Sequence, residues 1–330
     1  MINEQLIMNI SMKKVLLMAV AAMFAISASA QETVKKVRLY KGNTIVAEQN
    51  YAELDSIVFV DVEIPAVPEG ALAGKFTINA DGDQVNFSQG NLQATYNGSS
   101  WTWAFAANQY DYIGSAAANN AINGNGTVSS NGTVDLFGWS TAATYFGIHN
   151  STDNSTYSGD FVDWGTNAIT NGGNEANAWR TLTKDEWVYL FYTRENAATL
   201  FGLGSVNGVN GTILLPDNWT LPAGASFTAS TTQGLADQGT YFSNSSGNNF
   251  SHNTYTAEQW SVMESAGAVF LPAAGYRYGT GVFNVGSGGY YWAATPGGTG
   301  LAYDLSFNSS NLRPQGSGSR YYGFSVRLVR

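Results

Sequence analysis

The sequence predicts an α+β fold, in which two helices accompany many short strands in twisted antiparallel sheets. Two observations support this prediction. Short runs of alternating apolar and polar residues, typical of strands with one buried face, recur between turns rich in Gly, Asn and Ser. Two capping-box sequences, starting at Thr183 and Thr256, precede apolar residues at helical spacing and indicate helix starts.

The composition limits the class of protein. The 330 residues have a net charge of −9, and 12% of them are charged, against about 25% in an average domain. An acidic chain offers no electrostatic footprint for nucleic acid, so no nucleic-acid partner is expected. Aromatic residues make up 13% of the chain, which is too many for a disordered protein. Because cysteine is absent, disulfides, thiol catalysis and zinc–thiolate sites are excluded.

Residues 1–30 are predicted to be a secretory signal peptide. Lys13 and Lys14 precede an apolar run over residues 15–26, and Ala28-Ser29-Ala30 forms a cleavage site of small residues. The run is shorter than the roughly 20 residues that a membrane-spanning helix needs. We therefore expect no membrane span once this segment is removed.

Two further expectations follow from this leader. Met12 is a better candidate for the start than Met1, because it directly precedes the lysines. Gln31 is the expected first residue of the mature protein. The protein is then expected in the periplasm, on the outer surface or outside the cell.

Residues 31–63 are predicted to form a small β module. Residues 37–40 and 57–60 have strand composition, and residues 41–43 form a turn after the first strand. Two prolines disfavour helix in residues 64–73, which are assigned to a linker. A module of this size buries little surface, so we expect it to dock on a neighbour.

Residues 74–330 are predicted to form one large domain. Residues 76–78 and 85–87 form a hairpin around an Asp81-Gly82-Asp83 turn. Residues 101–105 alternate aromatic with small residues and predict a strand with one aromatic face.

The two predicted helices follow the capping boxes. Trp187, Leu190 and Phe191 fall on one stripe after Thr183. Trp260 and Met263 follow Thr256 in the same way, and residues 114–133 form a loop rich in Gly, Asn, Ala and Ser.

The C-terminal 60 residues predict strands around a polar and aromatic loop. In residues 302–308, Tyr303, Leu305 and Phe307 share one strand face and are expected to point inward. Phe324, Val326 and Leu328 are expected to do the same in the last strand, with Arg327 on the outward side. Residues 308–322 between them consist mostly of Asn, Ser, Gly, Tyr, Arg and Gln, which resembles the composition of binding loops.

These segments resemble a known family. The motifs are GYYWAAT at 289–295, AYDLSF at 302–307 and RYYGFSVRLV at 320–329, with WRTLTKDEW at 179–187, LPDNW at 215–219 and GAVFLPAAG at 267–275. They resemble the C-type-lectin-like domains of exported bacterial proteins, which share a fold with the formylglycine-generating enzymes and include the Fibrobacter major paralogous domain group. The resemblance covers residues 74–330 and implies this fold for them. It does not carry over the enzymes' activity, because that activity needs cysteines.

Some members of this group are variable proteins diversified by retroelements. Their C-terminal residues are rewritten among Asn, Tyr, Ser, Asp and Gly within a fixed apolar frame, and the composition of residues 304–322 is compatible with that pattern. A fixed binding face or a solvated surface has the same composition. The sequence leaves these alternatives open.

Ligand binding is assigned to outward-facing residues of the C-terminal strands and to the loop between them. The candidate binding residues are Tyr290, Asp304, Ser306, Asn308, Asn311, Ser317, Ser319, Tyr321 and Tyr322. No catalytic residue, metal ligand or cofactor is assigned.

Residues with possible catalytic or metal chemistry have simpler structural interpretations. The Asp81-Gly82-Asp83 sequence is a hairpin turn rather than a calcium loop, and Asp217 is expected to cap a loop. His149 and His252 lie in separate polar loops without a second ligand at helix spacing. Acidic residues 185 and 186 lie at a helix start, which the helix dipole favours.

The sequence therefore predicts an exported, non-catalytic ligand-binding or surface-display protein. Its partner would be an unidentified protein or glycan on a surface. The alternatives are a structural or adhesive appendage subunit and, last, a carbohydrate-active hydrolase.

Overall fold

A computed structural model divides the chain into two compact units, Met1–Pro65 and Ala66–Arg330. The residues it describes are 18–20, 36–41, 44–53, 66–115, 118–129, 132–230, 240–241 and 249–330. Most of the predicted signal peptide and the predicted strand at residues 57–60 lie outside them. No helix in the described ranges has the length and apolar character needed to cross a membrane.

The described residues of the first unit form one antiparallel sheet and a short turn. Its strands are β1 (Met18–Val20), β2 (Lys36–Lys41) and β3 (Thr44–Asn50), in that order across the sheet. A 3₁₀ turn, Tyr51–Glu53, follows β3. The strand predicted at residues 37–40 is thus present, and β2 and β3 form a hairpin.

The second unit is α+β and contains short, mostly antiparallel sheets. Its strands are β4 (Phe76–Thr77), β5 (Gln84–Val85), β6 (Leu92–Tyr96), β7 (Trp101–Phe105), β8 (Gly132–Val134), β9 (Arg180–Thr181), β10 (Phe201–Val206), β11 (Val209–Leu214), β12 (Thr240–Tyr241), β13 (Thr254–Tyr255), β14 (Val269–Pro272), β15 (Tyr276–Tyr278), β16 (Gly281–Phe283), β17 (Gly288–Pro296), β18 (Leu301–Asn308), β19 (Asn311–Ser319) and β20 (Leu328–Val329). The two α-helices in the described ranges are α1 (Lys184–Val188) and α2 (Ala257–Ser265).

The larger sheets have the strand orders β13-β10-β11-β14, β12-β19-β18-β17 and β7-β6-β8. The pairs β4-β5, β15-β16 and β9-β20 complete the set. Only β10 and β13 pair in parallel among the described strands. The predicted hairpin of β4 and β5 and the aromatic strand β7 are both present.

Both helices begin at the predicted capping boxes. The hydroxyls of Thr183 and Thr256 each accept a hydrogen bond from the backbone N–H three residues on, and the side-chain oxygen of that residue accepts one from the threonine backbone N–H. These bonds satisfy backbone donors that a helix start leaves open. A π-helical turn, Tyr189–Thr193, continues α1 and buries Leu190 and Phe191.

Backbone pairing joins the two ends of the second unit. Asn86 and Arg330 exchange backbone hydrogen bonds of 2.8 and 3.0 Å, and Ser88 N–H donates to the Leu328 carbonyl. The assignment of residues 64–73 to a linker is wrong at its C-terminal end. Leu72 is buried and its N–H donates to the Phe87 carbonyl, because the chain enters the core there.

The C-terminal sheet differs from the prediction in one element. Residues 308–322 were expected to form a loop, but β19 occupies most of this segment and pairs with β18. The strand β18 is therefore internal to the sheet, between β17 and β19. The predicted inward residues Leu305, Phe307 and Phe324 are buried, whereas Tyr303 is only partly buried.

Candidate functional site

Six aromatic side chains form one continuous, partly exposed cluster on the second unit. We call it the tyrosine surface. It consists of Tyr276, Tyr278, Phe283, Tyr290, Tyr321 and Tyr322. Two of these residues are among the most exposed large apolar side chains in the described ranges, Tyr278 at 44% and Phe283 at 47%.

Tyr276 lies at the centre of the cluster. Its ring centroid is 5.3 Å from those of Tyr290 and Tyr322, at interplanar angles of 77° and 82°, and 5.7 Å from that of Phe283. The Tyr321 ring is 4.9 Å from Tyr322 and 5.6 Å from Tyr278. Edge-to-face contacts at these distances are favourable, so the rings support one another's positions.

The β15–β16 hairpin supplies half of the tyrosine surface. In this hairpin Tyr276 pairs with Phe283. Arg277 lies between Tyr276 and Tyr278 in β15, points to the opposite face and is fully buried. The alternation of a strand produces this separation of aromatic and basic side chains. A two-residue turn joins the strands, with Gly279 at a φ of +58°, where glycine is favoured.

A backbone bridge ties the hairpin to the turn that carries the other tyrosines. Arg277 and Gly323 exchange N–H···O hydrogen bonds of 2.8 Å in both directions. A Cβ on Gly323 would lie 2.8 Å from the Arg277 Cβ, so the close approach requires glycine. Behind the turn, Phe324 stacks on Tyr290 and Tyr322 at interplanar angles of 25° and 7°. The backbone bridge and the stacked ring of Phe324 therefore form a fixed base that holds the rings of the tyrosine surface in place.

Arg277 places a positive charge behind the hairpin. Its Nε donates to the Leu136 carbonyl at 3.2 Å and its Nη1 to the Gly279 carbonyl at 2.8 Å. Burial lowers the pKa of this guanidinium. No carboxylate among the described residues forms an ion pair with it.

Three of the nine predicted binding residues belong to the tyrosine surface: Tyr290, Tyr321 and Tyr322. Burial raises the pKa values of Tyr290 and Tyr322, so both phenols are neutral at physiological pH and retain their hydrogen-bonding protons. The Tyr290 hydroxyl accepts a hydrogen bond of 3.1 Å from Asn284 Nδ2.

The remaining predicted residues lie along β18 and β19. Ser317 is exposed, while Ser306, Asn308, Asn311 and Ser319 are half-buried. The Asn308 side chain closes the turn between the strands, because its Oδ1 accepts the backbone N–H groups of Ser310 and Asn311. That amide oxygen thus has a structural role.

Asp304 is not solvent-facing, which corrects the prediction. It is 3% exposed, because at this point the strand lies between two hydrophobic clusters, one of which includes Ala302 and the other Leu305. Across from it, a Cβ on Gly316 would lie 2.7 Å from the Asp304 Oδ1, so the glycine makes room for the carboxyl. Burial raises the pKa of Asp304 to about 7, against the opposing effects of the Ser306 hydrogen bond and the charge of Arg313.

Arg327 is also buried rather than outward-facing. Its Nη2 donates to Gln109 Oε1 at 2.7 Å and its Nη1 to Asn91 Oδ1 at 3.3 Å. Burial lowers its pKa to about 10. Neutral amides, rather than a carboxylate, hold this guanidinium in the core.

Two further acidic side chains, Glu186 and Asp217, have structural partners. Glu186 pairs with Arg180 at 2.7 Å and accepts the Thr183 N–H. Asp217 accepts the Thr77 N–H at 2.7 Å and pairs with Arg194 at 3.0 Å. Within the part of the chain that is described, no three His, Asp or Glu residues are grouped closely enough to hold a metal ion.

Sequence reasoning missed half of the tyrosine surface, namely Tyr276, Tyr278 and Phe283. The available signal was the segment YRYGTGVF at 276–283. It alternates aromatic residues with others on each side of a Gly-Thr-Gly turn, which is a hairpin pattern with one aromatic face.

Comparisons with known proteins identify no family for the chain. No family model, no curated protein and no solved structure matches the chain.

Proposed function

We propose that the chain is an exported, non-catalytic ligand-binding or surface-display protein that binds its ligand on the tyrosine surface. The proposal includes a C-type-lectin-like fold for the Ala66–Arg330 unit. The motifs quoted from residues 179–329, together with an α+β unit containing two capped helices, support that fold.

The observation that carries the proposal is the continuous tyrosine surface itself. Full burial of a large apolar side chain stabilises a folded protein by roughly 1.5–3 kcal/mol. Tyr278 and Phe283 remain 44% and 47% exposed and so provide only part of that stabilisation. Scattered exposed aromatics are ordinary on a protein surface, but a contiguous group on a fixed base is typical of an interaction site. Tyrosine also combines a large contact area with few rotatable bonds, which lowers the entropic cost of binding.

Two further observations support the rest of the proposal. The leader pattern of residues 13–30 supports export. The engagement of Glu186 and Asp217 in a cap and in ion pairs supports binding rather than acid–base catalysis.

A binding panel tests the proposal. Purified protein would be presented to immobilised oligosaccharides, extracellular-matrix proteins and bacterial envelope fractions, beside Tyr278→Ala and Tyr321→Ala variants. Tyr145→Asn is a matched control, because it removes a ring that is 56% exposed and lies outside the tyrosine surface. Tyr145 has a φ of 50°, and asparagine tolerates this left-handed conformation.

We expect the wild type and the control to bind at least one member of the panel. Both alanine variants should lose that binding while their melting temperatures stay close to the wild-type value. Folded variants that bind as the wild type does would remove the tyrosine surface as the site. A dimer that Tyr278→Ala converts to a monomer in light scattering would instead identify the surface as a subunit interface.

A further inference from the structure

The chemistry of the tyrosine surface restricts its ligand, and this step rests on the function proposed above. From the shape and charge of the surface, we infer that the ligand is a neutral oligosaccharide. Three properties lead to this class: the charge around the rings, the way the rings are inclined, and the polar groups beside them.

The charges around the rings disfavour ionic ligands of either sign. None of the cation–ring contacts found among the described residues involves a ring of the tyrosine surface. The chain's net charge of −9 disfavours an anion. The Arg277 guanidinium lies behind Tyr276 and Tyr278 without a carboxylate partner among the described residues, so it disfavours a cation. A neutral ligand avoids both penalties.

The inclination of the rings suits a ligand with apolar faces and polar edges. Tyr276 and Tyr322 meet at 82°, and Tyr278 and Tyr321 at 64°, so the surface presents ring faces in several directions rather than one flat patch. The face of an aromatic ring is electronegative and attracts the slightly positive C–H groups of a neighbouring molecule. A sugar ring has such C–H groups on its faces and hydroxyls around its edge.

Neutral hydrogen-bonding groups lie among and beside the rings of the tyrosine surface. The phenol groups of the five tyrosines both donate and accept hydrogen bonds. Asn284 is exposed beside Tyr290 and directs its Nδ2 to the phenol oxygen at 3.1 Å. A carbohydrate can form further hydrogen bonds with these phenols and with the amide of Asn284, whereas an apolar protein patch would desolvate them without offering a partner, at a cost in free energy.

Calorimetric titration of the full chain tests the inference. The neutral probes are cellohexaose, laminarihexaose, mannohexaose and N-acetylchitohexaose. Hexagalacturonate is the anionic probe and the glucosamine hexamer the cationic one. We expect at least one neutral hexaose to bind, with a Kd that changes less than about twofold between low and high salt, because no ion pair contributes.

Variants then locate the site. Tyr278→Ala and Tyr321→Ala should each raise the Kd at least about tenfold, the size of effect expected for a central aromatic contact. Tyr278→Phe keeps the stacking ring and should stay within about threefold of the wild type. The control Tyr145→Asn should leave the Kd unchanged.

Three results would overturn the inference: no neutral hexaose binds at millimolar concentration, a charged hexamer binds more tightly than every neutral one, or Tyr278→Ala and Tyr321→Ala bind the neutral probe as the wild type does. If the panel also shows Tyr278-dependent binding to a protein, the proposed function stands and only the carbohydrate assignment fails. If neither assay detects Tyr278-dependent binding, both proposals fail.

Discussion

The buried carboxyl of Asp304 makes the stability of the second unit depend on pH, and Asp304→Asn should remove that dependence. Burial raises the pKa of this group to about 7 in the folded protein, whereas an unfolded aspartate has a pKa of about 3.9. Each unit of difference corresponds to about 1.4 kcal/mol. The charged form is therefore less stable in the folded state by roughly 4 kcal/mol.

The direction of the pH dependence of stability follows from which state, folded or unfolded, holds the proton of Asp304. Below about pH 4 both states are protonated, so this group adds no penalty. Between about pH 4 and pH 7 the folded state keeps a proton that the unfolded state has lost, so the stability of the wild type falls as the pH rises. Above pH 7 the full penalty is present. Asparagine has nearly the same shape as the protonated acid and does not ionise, so the variant should be roughly 4 kcal/mol more stable than the wild type at pH 8, with no such gain at pH 4.

Urea denaturation of both proteins from pH 4 to pH 8, followed by tryptophan fluorescence, measures this difference. All nine tryptophans lie in the Ala66–Arg330 unit, so the signal reports the unit that contains Asp304. Asp135, whose pKa burial raises to about 6, is present in both proteins and cancels in the comparison. A stability difference that stays flat across this range would show that folding does not shift the pKa of Asp304. A variant that is less stable at pH 8 would show that the folded protein favours the charged carboxylate. Either result would refute the reasoning.

Four other predictions follow. Leu305→Ala should cost roughly 2–5 kcal/mol of stability in urea denaturation, because Leu305 is fully buried in the core. Gly147→Ala should yield little soluble protein in an expression test, because the added Cβ would lie 1.8 Å from the Gly138 carbonyl oxygen at a φ of +79°. EDTA should shift the melting temperature by less than about 2 °C in a calorimetric scan, because no group of metal ligands is found among the described residues. A tightly bound metal would add kilocalories per mole to the folding stability, and its removal would lower the melting temperature by more than that. Intact-mass measurement of exported protein should place its N-terminus at Gln31.

Locally determined elements of the fold could be predicted from the sequence. The helix starts at Thr183 and Thr256 depend on hydrogen bonds that span three residues, so a short motif contains the whole signal. The β4–β5 hairpin likewise depends on the adjacent turn. Such elements need no knowledge of distant parts of the chain.

The burial of Asp304 could not be predicted in this way. Alternation along a strand separates two faces, but it identifies the exposed face only if one face is free. Around Asp304 both faces of β18 are covered, because Ala302 belongs to one hydrophobic cluster and Leu305 to another, and all three residues are buried. β18 pairs with β17 and β19, and the sequence of β18 alone does not reveal these neighbours.

The glycines of β19 misled the sequence analysis for a related reason. Residues 308–322 have the polar and aromatic composition of a binding loop, and Gly and Asn are depleted in strands, so this segment was expected to be a loop. A Cβ on Gly316 would lie 2.7 Å from the Asp304 carboxylate, and one on Gly318 would lie 3.0 Å from the Phe324 ring. These glycines are required by close packing, and only the neighbouring strands reveal that requirement.

The same packing bears on whether residues 304–322 can form a diversified face. Diversification requires positions that accept many side chains without loss of stability. Asp304 lies in a space that Gly316 shapes, and the Asn308 amide oxygen closes a turn. A side chain larger than Asn or Asp at position 304, or the loss of the amide at position 308, therefore disturbs the frame. The tyrosine surface also draws on Tyr276 and Tyr278, which lie well before this segment. A binding face built from both segments and joined by the Arg277–Gly323 backbone bridge favours a fixed site over one rewritten at its C-terminal end.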